Sequence, residues 1–278
     1  MSIPSGITSQ LVEIDGRRIH YLEAGSGETI LLLHGWPTSA YLWRNLMLPL
    51  AETHHVVALD LPGFGHSAKN PADSYSFTYH ERIIEGVLAK MGSEKISLVV
   101  HDLGGPIGIF WALRNPEKVS KLALLNTIIY PEFSRMVKLF VASSMLPGVR
   151  WWLSSKAGIE WAMRFGVHRK DNLTDQVLRA YTSPFKTKNE RNSLLKTAHR
   201  LSMKGFHEIT EKLPSLQIPV RLIYGENDRI LPNVSQTMER VKRDIPHAEL
   251  TSLPNCGHFL QEDEPDGIAK LLVEFFVD

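Results

Sequence analysis

The chain has 278 residues, 43% of them hydrophobic and 22% charged, enough to bury one sizeable core with an inserted subdomain and too apolar for a disordered polypeptide. Lys and Arg number 31 against 30 Asp and Glu, so the overall balance makes no electrostatic case for nucleic acid or an anionic membrane surface, and a small, neutral partner is expected. Residues 1–6 show no basic region leading into an apolar core, and no run of about 18 apolar residues occurs, so a cytoplasmic protein without a membrane span is expected. Cys256 is the only cysteine, which excludes an intrachain disulfide and the common zinc-ligand spacings.

Residues 10–24 read as two short strands joined at Asp15-Gly16, and 29–33 as a fully apolar buried strand. Helical periodicity covers 41–51, followed by a strand at 55–60, a helix at 79–91, a strand at 96–101, a helix at 107–113 and a strand at 122–125. Strands and helices alternating through short links predict a mostly parallel sheet covered on both faces. The alternation stops after Tyr130-Pro131. From there to about Leu213 no strand is evident, and Phe133, Phe140, Trp151, Trp152, Trp161, Phe165, Tyr181 and Phe185 punctuate helical sequence, so a helical cap at 131–213 is expected. It resumes with a strand at 220–224, a helix at 234–241, a strand at 247–253 and a helix at 266–276, which assigns 1–130 and 214–278 to one α/β core.

The run Ser97-Leu98-Val99-Val100-His101-Asp102-Leu103-Gly104-Gly105-Pro106 takes an apolar strand through a glycine-rich turn into an apolar helix, the outline of a nucleophile elbow with a carboxylate where serine is usual. Gly104 and Gly105 provide the small neighbours that a strained turn and a closely packed helix require. Asp102 is then expected at a helix N-terminus, where unpaired N–H groups and the helix dipole favour its ionised form and lower its pKa. Aspartate is also a preferred N-cap, so the motif alone leaves a purely capping role open.

In an open parallel sheet, ligands bind beyond the carboxyl ends of the strands. Those ends carry His34-Gly35-Trp36-Pro37, Asp102, Asn126-Thr127, Asp228 within Gly225-Glu226-Asn227-Asp228, and His258. Asp102, Asp228 and His258 follow the order nucleophile, acid, histidine. Asp228 could instead cap the segment Arg229-Ile230-Leu231-Pro232, but the Gly225-Glu226-Asn227-Asp228 turn after an apolar strand favours an orienting role; His258 alone could be an ordinary loop histidine, and the three together favour a triad. Gly65-His66-Ser67-Ala68-Lys69 is the nearest approach to a serine elbow and lies in the wrong loop, while Cys256 is too close to His258 in a tight turn for the two to converge on one reacting atom.

Three stretches carry a family resemblance: His34-Gly35-Trp36-Pro37-Thr38-Ser39-Ala40-Tyr41-Leu42-Trp43-Arg44, Asp60-Leu61-Pro62-Gly63-Phe64-Gly65-His66-Ser67, and His101-Asp102-Leu103-Gly104-Gly105-Pro106-Ile107-Gly108. From about residue 15 to the C-terminus the chain resembles the haloalkane dehalogenase and epoxide hydrolase branch of the α/β-hydrolase superfamily, and is nearest in pattern to the dehalogenases. The resemblance implies an α/β-hydrolase fold with an inserted cap and an Asp102 nucleophile. Asp228 would orient a His258 base, and an oxyanion hole would be made by the backbone N–H groups of Trp36 and Leu103. It implies no cofactor and no metal, and a small apolar organic substrate that reacts with water. Leu125-Asn126-Thr127 leading to Tyr130-Pro131 resembles the dehalogenases whose triad acid follows the strand after the cap, which favours Asp228 over an acid such as Glu132.

Two departures bear on the leaving group. Dehalogenases hold the halide between a Trp directly after the nucleophile and either an Asn at the position of Trp36 or a cap Trp, whereas this chain has Leu103 and Trp36. Leucine offers no side-chain N–H, which leaves Trp36 and one of the cap residues Trp151, Trp152 or Trp161 as donors, although packing is the commoner role for each cap Trp. Epoxide hydrolases use a pair of cap tyrosines to protonate the opening ring, and Tyr130 and Tyr181 are the tyrosines in that region. Trp36, Tyr130, Trp151 and Tyr181 are therefore the expected substrate-binding and leaving-group residues. The expected activity is dehalogenase-like hydrolysis, with epoxide hydrolysis, β-lactone processing and non-catalytic small-ligand reception as alternatives.

Overall fold

The computed structural model describes residues 3–277; residues 1–2 and 278 of the expected core lie outside them. Thr8–Ile14 (β1) and Arg17–Ala24 (β2) form an antiparallel ribbon turned at Asp15 and Gly16, both at positive φ (50° and 70°), the two-residue geometry that matches strand twist. Thr29–Leu33 (β3), His55–Leu59 (β4), Ile96–Asp102 (β5), Val119–Thr127 (β6), Val220–Gly225 (β7) and Glu249–Leu253 (β8) complete an eight-stranded sheet in the order β1-β2-β4-β3-β5-β6-β7-β8. Pairing is parallel from β4 across to β8, and β2 runs antiparallel to both its neighbours. Every residue of β3 and β5 is buried, as expected for central strands covered on both faces.

Arg44–Ala51 (α1), Phe77–Met91 (α2) and Gly104–Arg114 (α3) are the core helices of the first half, with α2 packed on α3. Between β6 and β7 come Arg135–Ser143 (α4), Val149–Leu153 (α5), Lys156–Gly166 (α6), Asp175–Thr182 (α7), Lys188–Thr197 (α8) and Met203–Lys212 (α9), with no strand among the described residues. Ser134, Ser155, Thr174, Thr187 and Ser202 each accept an N–H from the first turn of α4, α6, α7, α8 and α9, a capping bond that contributes about 1 kcal/mol per helix. Val234–Asp244 (α10), Leu260–Asp263 (α11) and Pro265–Val277 (α12) close the chain, with α12 packed on α1.

Boundaries differ from the sequence reading in physically informative places. Residues 40–43 form a tight 3-10 turn ahead of α1. The helix after the elbow begins at Gly104, and its first turn is pressed against the β3 backbone and the Thr127 side chain: a Cβ on Gly104 would sit 2.3 Å from the Leu33 carbonyl oxygen, and one on Gly105 would sit 1.6 Å from Thr127 Oγ1. Two residues that read as turn formers are helical since nothing larger fits. The last strand starts at Glu249, because Ala248 N–H still closes a turn onto the Ile245 carbonyl.

One buried ion pair joins the inserted helices to the core. Arg44, at the start of α1, donates to both oxygens of Glu262 in α11 (2.6 and 2.7 Å), and Tyr181 of α7 donates its hydroxyl to Glu262 Oε1. The guanidinium also lies 4.2 Å from the centre of the Tyr41 ring. Removing one member of such a pair leaves the other charge buried alone. Glu262→Ala is therefore expected to destabilise the protein by about 3–5 kcal/mol, and Tyr181→Phe by about 0.5–1.5 kcal/mol, on denaturant titration.

Candidate active site

Asp102 ends β5 at φ 49°, a left-handed conformation that a non-glycine residue adopts only where its surroundings impose it. Three contacts do so. Thr127 Oγ1 donates to the Asp102 carbonyl (2.7 Å), the neighbouring His101 donates from Nε2 to the His258 carbonyl (2.9 Å), and Trp36 N–H donates to Asp102 Oδ2 (2.7 Å). The approach of the loop after β3 requires Gly35, whose Cβ would lie 2.4 Å from Asp102 Oδ2. His34 pins that loop by accepting Leu61 N–H at Nε2 (3.1 Å) while Nδ1 faces the Gly35 carbonyl (3.0 Å); burial lowers its pKa, which keeps the ring neutral for that accepting role.

The Asp102 carboxylate is divided between two environments. Oδ2 is tied to backbone amide hydrogen, and Oδ1 lies 3.8 Å from His258 Nε2, too far for a hydrogen bond. Burial raises its pKa above the ordinary carboxylate value, although the His258 charge and the N–H groups of Trp36 and Leu103 oppose that shift. The expected lowering at a helix N-terminus is thereby corrected: Leu103, not Asp102, caps α3, and desolvation outweighs the amide dipoles.

His258 is held from all sides. Nδ1 lies 2.8 Å from Asp228 Oδ2, so it carries the proton, and the buried Nε2 has no partner among the described residues. Its backbone N–H donates to the Gly166 carbonyl at the end of α6 (2.7 Å), and the Asp263 carboxylate joins Gly257, His168 and Arg169 N–H groups into one clamp. Burial alone would lower the imidazole pKa, but Asp228 and Asp102 outweigh it and raise it above 6.5.

The Asp228 carboxylate makes both kinds of contact, the turn bonds of a cap and a bond to His258. Oδ1 accepts the N–H groups of Ile230 (2.8 Å) and Leu231 (2.7 Å), leaving Oδ2 for His258 and for Asn126 Nδ2 (2.8 Å). Asn126 was seen in the sequence only as a strand-end residue. Its amide also accepts Gly225 N–H (2.9 Å) and donates to the Gly257 carbonyl (3.1 Å), tying the ends of β6 and β7 to the His258 loop. A polar side chain ending an apolar strand was the available signal. Glu132 pairs with Arg240 at the surface, away from His258.

A cavity of about 300 Å³ opens over Asp102, lined by Trp36, Leu103, Phe140, Trp152, Trp161 and Leu231 among others. Trp36 packs edge-on against Phe140, and its indole N–H is buried without a partner among the described residues. The other expected substrate contacts do not line this cavity. Tyr130 donates to Asp244 under the Arg240 guanidinium, Tyr181 is committed to Glu262, and Trp151 stands at the surface between Arg150 and Lys188. Each belongs to a polar or cationic partner outside the cavity, while Trp152 and Trp161 line its mouth. The other nucleophile candidates are occupied too. Ser67 Oγ bridges His20 N–H and the Asp60 carbonyl, and burial with Asp263 and Glu264 nearby pushes the Cys256 thiol up to about 12.

The chain is similar to a cis-3-alkyl-4-alkyloxetan-2-one decarboxylase of Shewanella oneidensis, 28% identical over 95% of this chain and 86% of that protein. It is also similar to haloalkane dehalogenase 2 of Mycobacterium tuberculosis, 30% identical over 93% and 91%. The solved haloalkane dehalogenase of Bradyrhizobium elkani superposes with a TM-score of 0.87 at 25% identity, covering 98% of each chain. The sequence profile of the alpha/beta hydrolase fold matches residues 28–265, and on that match, with the sheet order and strand-end residues described above, the chain belongs to the alpha/beta hydrolase fold family.

Proposed function

We propose that this protein hydrolyses apolar electrophiles through a covalent ester on Asp102, under a lid formed by residues 131–213. The observation that carries this reading is the division of the carboxylate: Oδ2 bound by Trp36 N–H, and Oδ1 unbonded and facing an imidazole nitrogen with a free lone pair. Attack by Oδ1 on an sp³ carbon forms a C–O bond and releases the leaving group with its electron pair. Oδ2 becomes the ester carbonyl oxygen already hydrogen-bonded at Trp36, beside Leu103 N–H, so the oxyanion of the second step needs no rearrangement. His258 Nε2 takes a proton from water as it adds to the ester carbon, Asp228 stabilises the imidazolium, and collapse returns that proton to the departing alcohol.

The cavity favours leaving groups that depart as stable anions. Epoxide opening needs a proton donor, and Tyr130 and Tyr181 are both engaged elsewhere. A halide needs none, and the unpartnered Trp36 indole N–H is available to it. Dehalogenation of apolar haloalkanes is therefore the leading reading. Opening of a β-lactone is the second, favoured by Leu103 at the usual halide-binding position, because the departing carboxylate is itself a weak base.

His258→Gln is expected to stall the cycle after the first step. Mass spectrometry after incubation with a bromoalkane or a dialkyl β-lactone should find the carbon skeleton on the peptide bearing Asp102. An adduct on Ser67 or Cys256, or none with a substrate the native protein consumes, would overturn the mechanism.

Asp228→Asn can keep its oxygen on Ile230 and Leu231, but its NH₂ would face His258 Nδ1 and force the proton onto Nε2. Turnover is expected to fall by about 10⁴ with the fold retained, the scale of the corresponding change in serine proteases. In the native protein His258 must be neutral to act as base, and the neighbouring Asp228 carboxylate holds its pKa above the ordinary histidine value, so the acid limb of kcat is expected on the alkaline side of an unperturbed histidine. A limb confined to the ordinary carboxylate range would remove His258 from the rate-limiting step.

Leu103→Trp is expected to raise turnover of chloroalkanes by restoring a second N–H beside the leaving atom, an interaction on the order of 2–4 kcal/mol in comparable sites. Overpacking there costs about 1–3 kcal/mol of stability, so melting is measured alongside rate. A folded variant that gains nothing on haloalkanes, with the native protein opening β-lactones rapidly, would transfer the assignment to the second reading.

A further inference from the structure

The near-zero net charge conceals a division along the chain. Residues 131–213 carry 15 Lys and Arg against 7 Asp and Glu, and the remaining residues carry 16 against 23. The cationic segment is also where large apolar side chains meet solvent. No residue of α4 is buried; Leu139, Met145 and Leu146 are 55–63% exposed, and Trp151, Trp152 and Trp161 are 39–48% exposed. Scattered exposed leucines need no explanation, but these belong to one rim. Met136, Leu139, Val149, Trp152 and Trp161 line the cavity above Asp102, so the exposed apolar surface runs directly into the pocket wall.

Cations border that rim. Arg135, Lys138, Arg164 and Lys188 form no ion pair among the described residues, and Lys188 Nζ lies 5.3 Å from the centre of the Trp151 ring. Exposed tryptophan and leucine beside unpaired lysine and arginine match the composition of an interfacial lipid-binding surface, where the apolar groups enter the acyl boundary and the cations meet anionic headgroups. A second copy of this chain would bring two such cationic faces together, which charge repulsion disfavours.

We propose that the rim formed by α4, α5 and their connecting loop docks the protein on an anionic lipid bilayer, with the pocket mouth against the membrane so that long-chain substrates enter from it. The reading does not depend on the chemistry at Asp102, and its test measures binding alone.

The full chain is mixed with vesicles of phosphatidylcholine, with or without phosphatidylglycerol, at low and high salt, and sedimented. The native protein should pellet with the anionic vesicles at low salt and be released by high salt. Arg135→Glu, Lys138→Glu and Lys188→Glu combined should lower partitioning about 100-fold, from roughly a five-fold loss per cation. Arg135 and Lys188 each begin a helix, where glutamate is favourable, so this variant should melt as the native protein does. Leu146→Ser with Trp151→Ser, neither of which lines the cavity, should weaken binding to the same vesicles, while Lys90→Glu with Lys95→Glu on the core should retain it. Failure of the native protein to bind anionic vesicles, or undiminished binding by both rim variants, overturns the proposal. Self-association that the same rim substitutions abolish, without vesicle binding, would assign the face to a second copy and overturn it equally.

Discussion

The contact between Trp36 N–H and Asp102 Oδ2, at 2.7 Å, is the constraint around which the site is built. It joins the turns after two adjacent parallel strands, β3 and β5, and brings them closer than side chains allow. Gly35 and Gly104 follow from it, since a Cβ at either would strike the opposite turn. So does the left-handed backbone at Asp102, which aims the carboxylate out of the sheet edge and back at an amide. Strain of this kind persists only where surrounding bonds over-determine it, and His34, His101 and Thr127 supply them.

The same geometry leaves an imbalance at the centre of the molecule. His258 Nε2 is buried without a partner among the described residues, a state that normally costs about 1–3 kcal/mol. The cost is sustained by a framework larger than the Asp228–His258 pair. Asn126 links the ends of β6 and β7 to the histidine loop, and Gly166 and Asp263 bind that loop to the inserted helices. The inserted helices thus contribute to holding the imbalance as well as to lining the cavity.

The inserted helices differ from the core in how they are stabilised and in what they present. The core is built on continuous apolar strands; the insertion buries its own apolar residues such as Ile159, Met163, Leu178 and Leu194, adds Ser and Thr caps and the Arg44–Glu262–Tyr181 cluster, and leaves other apolar faces in solvent. Its exposed tryptophans lie along a rim that runs into the pocket wall, with Lys188 beside Trp151, and the segment as a whole carries a surplus of cations.

Local sequence determined what local physics controls. Period-two and period-3.6 patterns located the sheet and its helices, the small residues after Asp102 marked the strand-to-helix turn, and the order of strand-end residues singled out Asp228 and His258, which the fold brings within 2.8 Å of each other. Tertiary structure decided the rest. Whether Asp102 gains a lowered or a raised pKa depends on the sum of burial and charge from segments more than a hundred residues apart, and desolvation prevails there. Tyr130, Tyr181 and Trp151 have the right chemistry for the pocket, but their partners Asp244, Glu262 and Lys188 draw them elsewhere, and a side chain's partner is fixed by packing rather than by its own position in the chain. The clamp at Asn126 was hidden for the same reason: its bonds reach residues about a hundred or more positions away, which only the folded sheet brings together.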